Sequence, residues 1–163
     1  MARKEHKNFL AFNVPPEVEQ NYIFEVWKVF AQSASITRRK LAPLKIATRH
    51  YAAMAVIAAS DHSATQTTLI KRMGLSPNVV LGMVDDLDQL GYARRVQNPR
   101  NRRENIVFLS KRGRDAYAKA LVLLRQAEQE LLSALTDQER NRLLEITQKL
   151  CTSLPSVRDL GAL

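Results

Sequence analysis

The sequence from Thr65 to Gly91 reads TQTTLIKRMGLSPNVVLGMVDDLDQLG. Thr65 is a residue type that caps helix N-termini and Gly74 is one that follows helix C-termini, so a short helix is predicted between them. Ser76 followed by Pro77 predicts a second helix start, with a cap residue before a proline at the first helical position. This second helix ends at Gly91. Two helices with so short a turn have helix-turn-helix spacing, although the spacing alone also fits an ordinary helical hairpin.

The segment that follows predicts a two-stranded hairpin with a basic loop. Val96, Ile106 and Phe108 have polar neighbours and lie on either side of a polar loop over residues 98–103. Residues 94–114 contain eight basic residues and one acid, so +7 of the net charge of +9 lies here. The basic residues are Arg94, Arg95, Arg100, Arg102, Arg103, Lys111, Arg112 and Arg114. A solvated loop is the alternative, but like charges repel, and arginine suits phosphates and a narrow minor groove. We therefore interpret the hairpin as a DNA-contacting wing.

Helical patterns precede this region. Residues 1–14 show no clear period and are expected to form an arm. Apolar residues recur at three- and four-residue steps from 16 to 41, and Pro43 ends that pattern. An alanine-rich helix over residues 45–59 is predicted to be central and buried, because small side chains allow close helix approach. Residues 61–63 are interpreted as a polar break.

Helical patterns also follow the hairpin. Helical spacing returns after Ser110, and Thr136 with Glu139 forms a capping box for a last helix through Leu150. The tail after Pro155 has no clear structure. The fold class that we predict is mainly α (α+β), because helices enclose a single short hairpin.

Composition narrows the function classes. The 163 residues are 45% hydrophobic, and the sequence pI of about 10.1 favours a polyanionic partner. A single cysteine, Cys151, excludes an internal disulfide and fits a cytoplasmic protein. We expect a partly buried, inert thiol, and a redox sensor is the alternative. No apolar run reaches membrane-spanning length, so no membrane partner is expected. The histidines His6, His50 and His62 lack metal-ligand spacing, and the sequence has no nucleophile elbow or glycine-rich phosphate loop. We expect neither an enzyme nor a cofactor.

Several short motifs together resemble one family of regulators. They are Gln66–Ile70, Met73–Ser76, Leu87–Tyr92, Asn101–Arg103, Leu109–Gly113 and Leu135–Glu139. Their order and spacing over about residues 16–152 resemble the multiple-antibiotic-resistance-regulator (MarR) family of winged-helix repressors. The resemblance implies a homodimer that binds a pseudo-palindromic operator in double-stranded DNA. It divides the chain into an arm (1–14), a dimerisation region (15–44 and 115–163) and a winged helix-turn-helix lobe (45–114).

The resemblance also implies which residues contact DNA. Those expected in the major groove are Ser76, Pro77, Asn78, Val79, Leu81 and Gly82. Arg102 or Arg103 is expected in the minor groove, and Lys71, Arg72 and Arg100 are expected to add affinity. Asn78 suits adenine, and Val79 or Leu81 suits the methyl group of thymine.

The chain departs from the family pattern in two places. Asn101 replaces an aspartate that commonly pairs with an arginine at the wing base, so a looser wing is expected. The predicted recognition helix has no basic residue where the family often does, and it carries Asp85, Asp86 and Asp88. Carboxylates that face phosphates repel them. An alternative function is therefore a dimeric ligand- or protein-binding module on the same fold, with weak or non-specific DNA binding.

Members of the family often bind small aromatic or phenolic compounds between the dimerisation helices and the DNA-binding lobe, and such a ligand would release the operator. The residues that we expect near such a ligand are Trp27, Phe30, His50, Tyr51, Met54 and Tyr117. For each of them alone, a place in the hydrophobic core is the alternative.

Overall fold

A computed structural model describes residues 15–19, 21–61, 63–99 and 101–154. The predicted arm, the tail after Pro155, His62 and Arg100 lie outside the described residues. The helices are α1 (Pro16–Glu19), α2 (Tyr22–Leu41), α3 (Thr48–Ala58), α4 (Gln66–Met73), α5 (Pro77–Gln89), α6 (Lys111–Leu131) and α7 (Asp137–Ser153). The strands are β1 (Ser63–Thr65), β2 (Ala93–Asn98) and β3 (Asn101–Leu109). The predicted mainly α fold with one hairpin is confirmed.

The N-terminal helices differ from the prediction at their ends. The expected single helix over residues 16–41 is interrupted, because Asn21 is extended and its side chain accepts a hydrogen bond from the Ile23 backbone N–H at 2.8 Å, capping α2. A short 3₁₀ turn, Ala42–Leu44, follows α2 and contains Pro43. Lys45 then adopts a left-handed conformation with φ 56°, so α3 begins at residue 48 rather than at the predicted 45.

The helix-turn-helix follows its predicted caps closely. The Thr65 side chain accepts a hydrogen bond from the Thr68 backbone N–H at 3.1 Å and so starts α4. Gly74 ends α4 with φ 70°, in the left-handed region where glycine is favoured. Ser76 precedes α5 in an extended conformation, and Pro77 is the first residue of that helix, but the Ser76 side chain does not make the predicted capping hydrogen bond.

The sheet has one strand more than the sequence predicts. Its order is β1-β3-β2, and both pairs are antiparallel. Ser63, which we had interpreted as part of a polar break, pairs with Phe108, and Thr65 pairs with Ile106. Three residues are too few to show an alternating pattern, so β1 is recognisable only from its partner strand.

The core lies under α3, as predicted for this helix. Ala53, Met54 and Ile57 of α3 are fully buried, and α3 packs against α2, α4, α5, α6 and the sheet. Gly113 in the first turn of α6 is a close-packing position, since a Cβ there would lie 1.8 Å from the Tyr92 carbonyl oxygen. None of the helices within the described residues is long and apolar enough to cross a membrane.

Candidate nucleic-acid interface

The first half of α5 presents an uncharged surface to solvent. Val80, Met83 and Val84 are buried, so this helix is fixed to the core along one side. The opposite side is exposed at Ser76, Pro77, Asn78, Val79, Leu81 and Gly82, and we call these six residues the reading face. All six were expected at DNA. None of them is ionisable, and the Val79 and Leu81 side chains are 45% and 42% exposed.

Two carboxylates of α5 bind groups of the same lobe. Asp85 forms an ion pair with Arg95 of β2, which joins α5 to the wing. Asp86 Oδ2 lies 3.0 Å from His50 Nε2. Asp85 and Asp86 thus each have a partner within the lobe, and the repulsion of phosphates that the sequence suggests stays a prediction. Asp88 is exposed in the last turn of α5.

The His50 ring is fixed by two hydrogen bonds. The Ala47 backbone N–H donates to His50 Nδ1 at 2.9 Å, so this nitrogen carries no proton. The proton of the neutral ring therefore lies on Nε2, which donates to the Asp86 carboxylate. His50 is 6% exposed, and it thus positions α5 from within the core.

The tip of the wing is held by its own polar groups. Asn101 Oδ1 accepts a hydrogen bond from the Arg103 backbone N–H at 3.2 Å, and Gln97 Nε2 donates to the Arg102 carbonyl at 3.0 Å. The Arg102 and Arg103 side chains are exposed. Asn101 thus supports the tip through the backbone, where the family pattern has an acid that pairs with an arginine.

Glu104, the single acid of the basic segment, joins the wing to α4. Its carboxylate accepts a hydrogen bond from the Asn98 side-chain amide at 3.5 Å. Hydrogen bonding by the Thr67 and Thr65 side chains at the start of α4, and then by Asn98 and the Thr67 backbone, lowers the pKa of Glu104. The sequence showed this acid but not its partners, which follow from β3 passing the first turn of α4.

The other cations of residues 94–114 that the structure describes divide into two groups. Arg95 is ion-paired, Arg114 Nη1 donates to the Leu109 carbonyl at 3.0 Å, and the Arg112 guanidinium lies 5.4 Å from the Tyr92 ring centroid. Arg94 and Lys111 are exposed. Part of the concentrated charge therefore also stabilises the lobe.

Lys71 and Arg72 lie in the last turn of α4, immediately before the turn into α5. Both are exposed, and Arg72 Nη1 donates to Ser60 Oγ at 3.3 Å. Three residues separate Arg72 in the sequence from Ser76, the first residue of the reading face.

The six residues expected near a ligand fall into three places. Tyr51 of α3 and Tyr117 of α6 stack, with ring centroids 5.5 Å apart. Burial, and then the neighbouring Tyr117 side chain, raises the pKa of Tyr51. His50 and Met54 are buried in the core, whereas Trp27 and Phe30 are exposed on α2. The single chain brings together the two tyrosines but not the whole set.

Comparison with known proteins identifies the fold. No protein-family model and no curated protein matches this sequence. Wild-type MarR from E. coli in its apo form has a TM-score of 0.67 at 23% identity, covering 83% of this chain and 98% of that one. A MarR variant from E. coli complexed with operator DNA has a TM-score of 0.71 at 23% identity, covering 80% and 91%. The chain has the MarR fold.

A further solved structure of similar fold is described together with a small molecule that regulates its DNA binding. BpsR from Bordetella bronchiseptica, described with regulation of its DNA binding by 6-hydroxynicotinic acid, has a TM-score of 0.74 at 14% identity, covering 87% of this chain and 100% of that one. This chain therefore shares the MarR fold although its sequence identity to each of these three structures is below 25%.

Proposed function

We propose that this protein is a transcription regulator of the MarR family, a repressor that binds a pseudo-palindromic operator as a homodimer. The observation that carries the proposal is the charge arrangement around α5. The reading face has no ionisable residue, while exposed cations lie on α4 and on the wing, the elements that adjoin α5. An uncharged helix face can enter a major groove about 12 Å wide, and flanking cations bind phosphates.

The pairing of Asp85 with Arg95 supports specific DNA binding over the alternative module. Specific binding would suffer if the carboxylates of α5 repelled the duplex, and Arg95 offsets the charge of Asp85. Asp86 keeps its charge beside the neutral His50 ring, and that hydrogen bond orients α5 relative to the core. The same fold in a MarR variant complexed with operator DNA adds support.

Exposed apolar side chains support the homodimer. Tyr22, Ile23 and Phe30 of α2 are 88%, 79% and 68% exposed, and α7 has no buried residue although it carries Leu144 and Leu150. A groove of about 590 Å³ between α2, α6 and α7 is lined by apolar side chains, among them Ile36, Leu124 and Leu144, together with as many polar ones. A second copy of the chain would cover these surfaces, which few stable monomers leave in water.

A titration tests the proposal. Duplexes are selected by the protein from fragmented genomic DNA of its host, and their dissociation constants are compared with that of a random duplex of equal length at the same salt concentration. We expect the selected duplexes to bind at least about 10³-fold more tightly, the lower range for specific regulators. Equal affinity for both would contradict the proposal and favour the ligand- or protein-binding module.

A phenolic or aromatic ligand is the regulatory part of the proposal. The stacked pair of Tyr51 and Tyr117 lies where α3 of the lobe meets α6, and this is the part of the expected ligand set that the fold brings together. Two probes are added to the complex with a selected duplex: 2,4-dichlorophenol, which is bound in a solved regulator of similar fold, and 6-hydroxynicotinic acid, which is named with BpsR. We expect one of them to release the DNA, and Tyr117→Ala to prevent the release. Unchanged DNA affinity with both probes would contradict this part of the proposal.

A further inference from the structure

Gly82 is a glycine for which the fold offers no reason. It lies inside α5, between Leu81 and Met83, where glycine is a poor helix former. A Cβ built at this position meets nothing within 4 Å outside its own helix. Gly113 is the opposite case, because a Cβ there would overlap the Tyr92 backbone. Packing within the chain therefore requires glycine at 113 but not at 82.

The surroundings of Gly82 indicate what approaches it. Asn78 and Val79 lie four and three residues earlier, on the same helix face as Gly82, and Leu81 is the exposed residue next to it in the sequence. These neighbours on the N-terminal side of Gly82 are uncharged and adjoin the cations of α4 and the wing. Asp85 and Asp86, three and four residues after Gly82, bind Arg95 and His50. A surface without cations suits a base-pair edge in the groove. It does not suit a phosphate, because proteins usually bind phosphates with cationic side chains.

We infer that Gly82 lets the backbone of α5 approach the base edges closely, and that Val79 and Leu81 there contact thymine methyl groups. The inference rests on the proposed function and deepens it, since it predicts A·T base pairs at the positions of each half-site that α5 faces. An A·T pair offers adenine N6 and N7 to an amide such as Asn78 and a methyl group to an aliphatic side chain. Guanine recognition commonly uses Arg or Lys, and the reading face has neither.

The first arm of the experiment removes the methyl groups from the DNA. The probe is the duplex that the wild-type protein selects from a randomised pool, synthesised with thymine or with deoxyuracil in the half-sites. We expect each contacted methyl group to contribute about fourfold to affinity, the value of one buried methylene. Deoxyuracil placed outside the half-sites should leave the affinity unchanged.

The second arm adds a methyl group to the protein. Gly82→Ala should raise the midpoint of thermal unfolding by about 2–4 °C, since alanine favours the helix. It should weaken binding to the selected duplex about tenfold or more, because the added methyl group overpacks a close contact. Gln89→Ala, at an exposed position in the last turn of the same helix, is the matched control and should bind like the wild type.

The outcomes separate this inference from the proposed function. Loss of affinity with deoxyuracil and with Gly82→Ala supports the inference. A protein that selects a sequence but is indifferent to either change overturns the inference and leaves the proposed function intact. A protein that selects no sequence at all overturns the proposed function, and the inference falls with it.

Discussion

Asp86 and His50 are 36 residues apart in the sequence, yet their hydrogen bond fixes the ring tautomer and the position of α5. Asp86→Ala would leave the buried Nε2–H without its acceptor. Because the Asp86 side chain is 49% exposed and water can partly replace it, we expect a loss of about 1 kcal/mol in the free energy of unfolding, the low end for an unsatisfied donor. Chemical denaturation measures this. Asp88→Ala, in the same helix with the same charge change, should stay within about 0.5 kcal/mol of the wild type. Equal losses in both variants would contradict the account.

Glu104 makes the free energy of unfolding depend on pH. Its pKa is lower in the folded chain than in the unfolded chain, because the threonine hydroxyls donate to the ionised carboxylate. The stabilisation is therefore fully present above the unfolded pKa and is lost as the pH falls through the folded pKa.

The variant Glu104→Gln tests this dependence. We expect the stability advantage of the wild type over Glu104→Gln at neutral pH to shrink as the pH is lowered from 6 towards 3. Glu128→Gln, an exposed position on α6, is the control and should differ little from the wild type at neutral pH. An advantage that stays constant over this pH range would show that the carboxylate charge has no part in joining the wing to α4.

Residues whose role is local were predictable, and residues whose role is long-range were not. Thr65, Gly74 and the Thr136–Glu139 capping box act within one helical turn, so the sequence pattern contains their whole environment. The partners of Asp85 and Glu104 come from other elements, through packing that the pattern does not encode. This is why three acidic residues on one helix suggested repulsion of DNA, while the structure gives two of them partners.

At the scale of elements, the wing and α5 form one unit. The Asp85–Arg95 ion pair joins them, and Arg102 and Arg103 project from the start of β3. Replacing both arginines with alanine should lower the slope of log affinity against log salt concentration by about two, because about two fewer counterions are released. The measurement is a titration of random duplex at several salt concentrations. Arg38→Ala with Lys119→Ala carries the same charge change away from the wing and should keep the wild-type slope. A wing variant that also keeps it would show that the wing does not touch DNA.

The helices and strands themselves were predictable where the repeating pattern of apolar residues extends over many residues. The helices around the wing extend over several turns, and β2 and β3 are marked by a basic loop between apolar residues. The break at Asn21 and the strand β1 were missed, because each depends on one to three residues. Asn21 is a residue type that also occurs inside helices, and β1 exists through its pairing with β3.

At the scale of the whole molecule, apolar residues on α2 and α7 predict a dimer. Phe30 is 68% exposed in the single chain, so Phe30→Asp should leave the fold of the chain intact. We expect it to shift the protein from dimer to monomer at micromolar concentration, as seen by sedimentation equilibrium, with an unchanged circular dichroism spectrum. Gln97→Asp, an exposed change on the wing, should remain a dimer. A monomeric wild-type protein, or a dimeric Phe30→Asp variant, would contradict this assignment of the interface.

We propose that two paired chains present their reading faces and wings to one duplex. Hydroxyl-radical footprinting on a selected duplex, with the protein-to-DNA stoichiometry measured on the same complex, tests it most directly. We expect two chains per duplex and two protected half-sites centred about one helical turn apart. One chain per duplex, or uniform protection along the DNA, would contradict it.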